Sequence, residues 1–156
     1  MRLLARVVLA FAVPSLALGA EPSTARPPAA GRKQVLVPRS GELPFSGAVR
    51  GGELVFVSGQ LGLTPGEGKR ELVPGGVVPE VNAALENVAA VLGKAGLTMD
   101  DVVKCTVFLV DIADFAAMND AYARFFPRDP PARTTVSVAG LVRKARVEIE
   151  CIAAAR

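Results

Sequence analysis

Arg133 opens an extended segment directly behind Pro130-Pro131-Ala132, which marks it as a residue that could do chemistry. The prolines restrict the backbone in front of it, so the guanidinium is presented by stiff chain and not by a loop tip. Its planar fork of donors matches a carboxylate bidentately, a geometry lysine cannot reproduce. On residue type alone a solvated surface arginine or a structural ion pair is the commoner outcome. Glu148 and Glu150 alternate with Val147, Ile149 and Cys151, so both carboxylates leave the same side of one strand. Facing solvent they would do nothing. In a partly apolar pocket one of them would have its pKa raised and could hold and deprotonate a water.

Two more positions qualify. Ser58-Gly59-Gln60 closes an apolar strand with a glycine where backbone can approach another group closely, although a simple turn explains it equally well. Asn119 lies four residues after Phe115 on an apolar helix stripe, so its amide is aimed at apolar surroundings and needs partners. The chain contains no histidine, which removes the usual general base and the commonest zinc ligand. Acid-base work therefore falls to Asp, Glu, Lys, Tyr122 or a thiol. Cys105 and Cys151 are too few and too far apart for a zinc site. A disulfide is open to them in an oxidising compartment, but two buried thiols acting as small hydrophobes is the reading their apolar strands favour.

The elements that must position these residues are legible from periodicity. Gln34 to Val37 is a short strand, and Gly47 to Arg50 with Glu53 to Gly59 is a hairpin closed at Gly51-Gly52. On its second strand Leu54, Phe56 and Ser58 share one face and Val55 and Val57 the other. Leu61 to Val78 is rich in Gly and Pro and reads as a loop. Pro79 sits where a helix begins, and Val81, Ala84, Leu85, Val88, Val91, Leu92 and Ala95 recur at helical spacing up to Gly96. Thr98 and Asp101 form a capping-box pattern. Val102 to Val110 is a buried strand. Asp111 or Asp114 caps a second helix with Phe115, Met118, Tyr122, Phe125 and Phe126 as its stripe and Pro127 as its stop. Arg133 to Ala139 and Arg146 to Ala153 are the last strands. This order predicts one α+β domain, a single mixed sheet with both helices on one face. The other face, rich in valine, then needs cover, which predicts a homo-oligomer.

With 51% hydrophobic residues in 156, one core is expected, covering residues 34–156. Residues 1–20, with Arg2 and Arg6 ahead of an apolar run and small residues before Glu21, follow the grammar of a signal peptide, and the Pro/Ala-rich residues 21–33 read as a flexible linker. The expected location is exported, in the periplasm, with no membrane attachment after cleavage. Removing two of the 18 basic groups against 15 acidic ones leaves +1, too little charge for a nucleic-acid partner.

Several segments together, Pro44-Phe45-Ser46-Gly47-Ala48-Val49, Leu54 through Gln60, Asp101-Val102-Val103-Lys104, Asp114-Phe115 through Asn119, Pro131-Ala132-Arg133-Thr134-Thr135 and Val147-Glu148-Ile149-Glu150, resemble the reactive intermediate deaminase (Rid, or YjgF-type) family. The resemblance implies a chorismate-mutase-like homotrimer with clefts between subunits, hydrolysing 2-imino acids to 2-keto acids and ammonia with no cofactor and no metal. It further implies that Arg133 holds the substrate carboxylate and that Glu148 positions the water. Asn119, Ser58, Gly59, Phe45 and Thr135 would line the cleft. Phe45 stands where active members commonly carry tyrosine, and Thr135 where some carry cysteine. An exported paralogue that binds a small carboxylate without turning it over is the competing expectation; ribonuclease activity fits the charge and the missing histidines poorly.

Overall fold

The computed structural model describes residues 33–39, 41–66 and 69–155; the signal reading at 1–20 and all but Lys33 of the linker reading lie outside them. The strands are β1 (Gln34–Val37), β2 (Ala48–Gly51), β3 (Leu54–Leu61), β4 (Val102–Leu109), β5 (Ala132–Ser137) and β6 (Val147–Ala154), with helices α1 (Val77–Lys94) after β3 and α2 (Phe115–Ala123) after β4. They form one six-stranded sheet in the order β1-β2-β3-β6-β4-β5. Only β4 and β5 run parallel, joined by α2 as the crossover; the other neighbours are antiparallel. The mixed sheet expected from the order of the elements is therefore observed.

Alternation sorts the strands onto two faces. Val55, Val57, Val107, Ile149 and Ala153 are buried against Val81, Leu85, Val88 and Leu92 of α1 and Met118 and Tyr122 of α2. Each large apolar side chain closed off in this way contributes roughly 1.5–3 kcal/mol of transfer free energy. Leu54, Phe56 and Val136 lie on the opposite face and stay exposed.

Boundaries differ from the sequence reading in small ways with local causes. Helix α1 starts at Val77, not at Pro79, because Gly76 takes a φ of 88° and turns the chain into the helix; Pro79 then sits in the first turn, where its missing N–H is not needed. Gly96, with φ at 76°, ends that helix as expected. Helix α2 stops at Ala123, four residues before Pro127, and the chain continues through single turns such as Phe126 N–H to the Ala123 carbonyl at 3.3 Å. The segment read as a plain loop contains a bridge between Leu63 and Leu72. Buried Asn87 fixes it to α1 by donating to the Leu61 and Leu63 carbonyls at 3.0 Å each while accepting from Arg70.

The cysteine reading needs correcting. Cys105 and Cys151 are register partners on β4 and β6 with Cα atoms 4.1 Å apart, and they are joined as a disulfide. A pairing between residues 46 positions apart depends on strand neighbourhood, which apolar flanks do not specify.

Candidate functional site

The placement of Arg133 begins with α2. Asp111 accepts the Ala113 N–H at 2.9 Å, capping the turn that leads into the helix. Asp114 instead pairs with the Arg146 guanidinium at 2.7 and 2.9 Å, tying the helix start to the approach to β6. With Met118, Ala121 and Tyr122 packed inward, Asn119 is turned toward β5. There Arg133 is the register partner of Cys105 and so lies on the helix side of the sheet. Its Nη2 donates to Asn119 Oδ1 at 2.7 Å. The guanidinium carbon is 4.6 Å from the Tyr122 ring centroid and 5.8 Å from that of Phe115, within range for attraction to the ring faces. Arg133 is half-buried, and among the described residues the ion pairs are Lys69–Glu71 and Arg146–Asp114, so no acid neutralises it. An oriented guanidinium without an internal acid is suited to bind an external carboxylate.

Tyr122 belongs to this cluster, although the sequence offered it only as one of several acid-base groups and as part of an apolar stripe, not as a wall against Arg133. Burial raises its pKa to about 12, opposed by the neighbouring positive charge of Arg133. It is therefore a neutral phenol at physiological pH and no general base. Its hydroxyl and that of Thr135, which shares the helix-side face of β5 with Arg133, are buried without a hydrogen-bond partner among the described residues.

Glu148 lies on the other face, between the fully buried Val147 and Ile149. A bulge in β3 between Val57 and Gln60 places two residues, Ser58 and Gly59, against one on β6. A methyl group built on Gly59 would overlap the Glu148 Oε1. The glycine read as a point of close approach is thus approached by a carboxylate. Burial first, and the like charge of Glu150 second, raise the Glu148 pKa above the ordinary carboxylate range. Ser58 is tied back by its Oγ to the Ser46 carbonyl at 2.7 Å, and it joins exposed Phe45 in a concavity of about 410 Å³ with Lys33, Arg39, Pro44, Ser46 and Val49. A second concavity of about 310 Å³, around Met99, Phe125 and Arg128, contains none of the candidate residues. Among the described residues no group of three or more metal-ligating side chains is placed to hold an ion.

The candidates thus fall into two half-sites. Arg133, Asn119 and Thr135 meet at the β5 edge under α2; Glu148, Gly59, Ser58 and Phe45 gather on the open face of β3 and β6. Within one chain the sheet itself separates them.

The family model described as Endoribonuclease L-PSP matches residues 39–155. The chain belongs to this family, the Rid or YjgF family. Among Rid relatives, a Capra hircus protein named 2-iminobutanoate/2-iminopropanoate deaminase is 48% identical over 110 residues, 70% of this chain and 79% of that protein. Protein DfrA of Myxococcus xanthus is 46% identical over 112 residues, covering 70% and 84%. Among solved structures, that of E. coli TdcF with bound serine superposes with a TM-score of 0.68 at 36% identity, covering 79% of this chain and 96% of that one. A Rid-family protein from Yersinia pestis gives 0.71 at 36%, covering 79% and 99%. The sheet and its two helices are the chorismate-mutase-like fold of the Rid family.

Proposed function

We propose that this protein hydrolyses reactive 2-imino acids to 2-keto acids and ammonia, without a cofactor, in clefts completed between the subunits of a homotrimer. The observation that carries this reading is Arg133: half-buried, held by Asn119 and the Tyr122 ring, and without an acidic partner among the described residues. The names of close relatives support it, and so does a solved relative with bound serine, a ligand that carries an α-carboxylate. In the proposed cleft Arg133 of one subunit takes the substrate carboxylate, and Glu148 of the next takes a proton from a water. That water's oxygen adds to the C=N carbon while the nitrogen is protonated. The resulting carbinolamine loses ammonia as its C–N bond breaks and the C=O bond forms. Positioning supplies most of the acceleration, since an imine is already a good electrophile.

The test generates a 2-imino acid with an amino-acid oxidase and follows its decay with and without the protein. Arg133→Ala should cost roughly 10³-fold in kcat/KM, the equivalent of ~4 kcal/mol; an unchanged rate rules the reading out. Phe45, exposed in the concavity with no hydroxyl to offer, favours a second reading, a carboxylate-binding protein without turnover. That reading is supported if ligands raise the Tm while imine decay is unaltered.

Export to the periplasm is part of the proposal. The Cys105–Cys151 disulfide is consistent with an oxidising compartment, and cell fractionation with N-terminal sequencing tests it. A mature chain found only in the cytoplasm refutes it.

A further inference from the structure

The concavity beside Ser58 is unusual in its charge. Its floor is Ser46, Ser58, Pro44 and Val49, the Phe45 ring stands in it with 53% of its surface exposed, and its rim carries Lys33 and Arg39. Among the described residues no carboxylate lines it. Neither cation is paired with an acid, since the ion pairs among the described residues lie elsewhere. The two residues flank β1, Lys33 just before it and Arg39 shortly after it, so both are carried by the strand that borders this end of the sheet.

We infer that this concavity is a subsite for a second anionic group on the substrate, making the preferred substrates imines of dicarboxylic amino acids. The inference rests on the deaminase reading for the reaction itself and extends it to substrate class. The chemistry is additive. The α-carboxylate goes to Arg133 and the imine carbon to the water at Glu148. A spacer of one or two methylenes crosses Ser58 and lies on the Phe45 ring, and the distal carboxylate meets Lys33 and Arg39. An aromatic wall suits the methylenes, and two like charges around one mouth raise the local concentration of an anion. Phe45 is then a specificity residue: its ring packs the spacer, and the absence of a hydroxyl leaves the polar contacts of the distal group to the two cations.

The experiment compares kcat/KM for 2-iminoglutarate and 2-iminobutanoate, each produced in place by an oxidase, in wild type and in Lys33→Gln/Arg39→Gln. Wild type should prefer the dicarboxylic imine, and the double variant should reduce the ratio of the two values about tenfold, equivalent to 1.4 kcal/mol. Lys33→Glu/Arg39→Glu should invert the preference. A ratio near one in wild type, or a ratio that both variants leave alone, overturns the subsite. Thermal shift with 2-oxoglutarate and 2-oxobutanoate separates this outcome from failure of the deaminase reading. If neither imine is accelerated but wild type is stabilised more by 2-oxoglutarate and the double variant is not, the subsite stands and the catalysis falls. If neither keto acid is distinguished, the subsite falls as well.

Discussion

On β3, Val55 and Val57 point into the helices and are 1% and 3% exposed, whereas Leu54 and Phe56, one residue away in each case, keep 39% and 45% of their surface open. The same contrast divides the functional groups. The helix face holds Arg133 within a finished set of contacts, an amide and two rings, all supplied by the same chain. The open face holds Glu148 against Gly59 and, in a concavity that includes the neighbouring Ser58, an exposed aromatic and two cations. One face is closed by its own chain; the other has apolar surface and a perturbed carboxylate that no element among the described residues covers. In the proposed trimer a second copy meets the open face and brings the Glu148 of one chain to the Arg133 of another.

The largest effect that would break this comparison comes from adjacent residues. Val57→Asp places an unpaired charge inside the helix-side core and should abolish folding, since burying it costs several kcal/mol against a total stability of about 5–15 kcal/mol. Phe56→Asp should leave a folded chain that no longer associates, read as monomer mass by light scattering with circular dichroism retained. If Phe56→Asp keeps the oligomer, the open face is not the interface.

Next in size is a mixing test. Arg133→Ala and Glu148→Gln subunits, each inactive alone, should regain activity when denatured together and refolded, because about a quarter of randomly formed interfaces would unite an intact Arg133 with an intact Glu148 from different chains. Absence of any recovery would mean that each chain uses its own pair.

Replacing Cys105 and Cys151 by alanine acts on the helix face alone. In the chain-entropy account a bridge of this span stabilises by ~4 kcal/mol, so the urea midpoint should fall while the oligomer mass stays unchanged. A midpoint equal to wild type contradicts a formed bond.

The smallest effect lies on the open face. In the proposed mechanism Glu148 must be ionised to accept the water's proton, and the charge of Glu150 opposes that ionisation. Glu150→Gln should therefore move the acid limb of the kcat/KM profile to lower pH. A shift to higher pH, or none, would show that the two carboxylates do not sense each other.

What could be read from the sequence divides along similar lines. Helical spacing in α1, the capping box at Thr98 and Asp101 and the alternation that puts Glu148 and Glu150 on one side are local patterns, and each is found in the structure. Asn119 as an amide seeking a partner was legible as well, though not that Arg133 would be the partner. The aromatic platform was missed because Phe115 and Tyr122 look like any apolar stripe until β5 is laid beside α2. The disulfide and the assignment of Arg133 and Glu148 to opposite faces were out of reach for one reason. Both depend on β6 inserting between β3 and β4 and on β5 lying parallel to β4, which are long-range pairings that no neighbouring residues encode.

The contact between Asp114 and Arg146 carries a final consequence. It fastens the turn that launches α2, the helix bearing Asn119, to the residue preceding β6, the strand bearing Glu148. In the proposed trimer each chain lends its guanidinium to one cleft and its carboxylate to the next. On that proposed arrangement the Asp114–Arg146 pair, at the protein surface, ties the helix serving one cleft to the strand serving the next within a single chain.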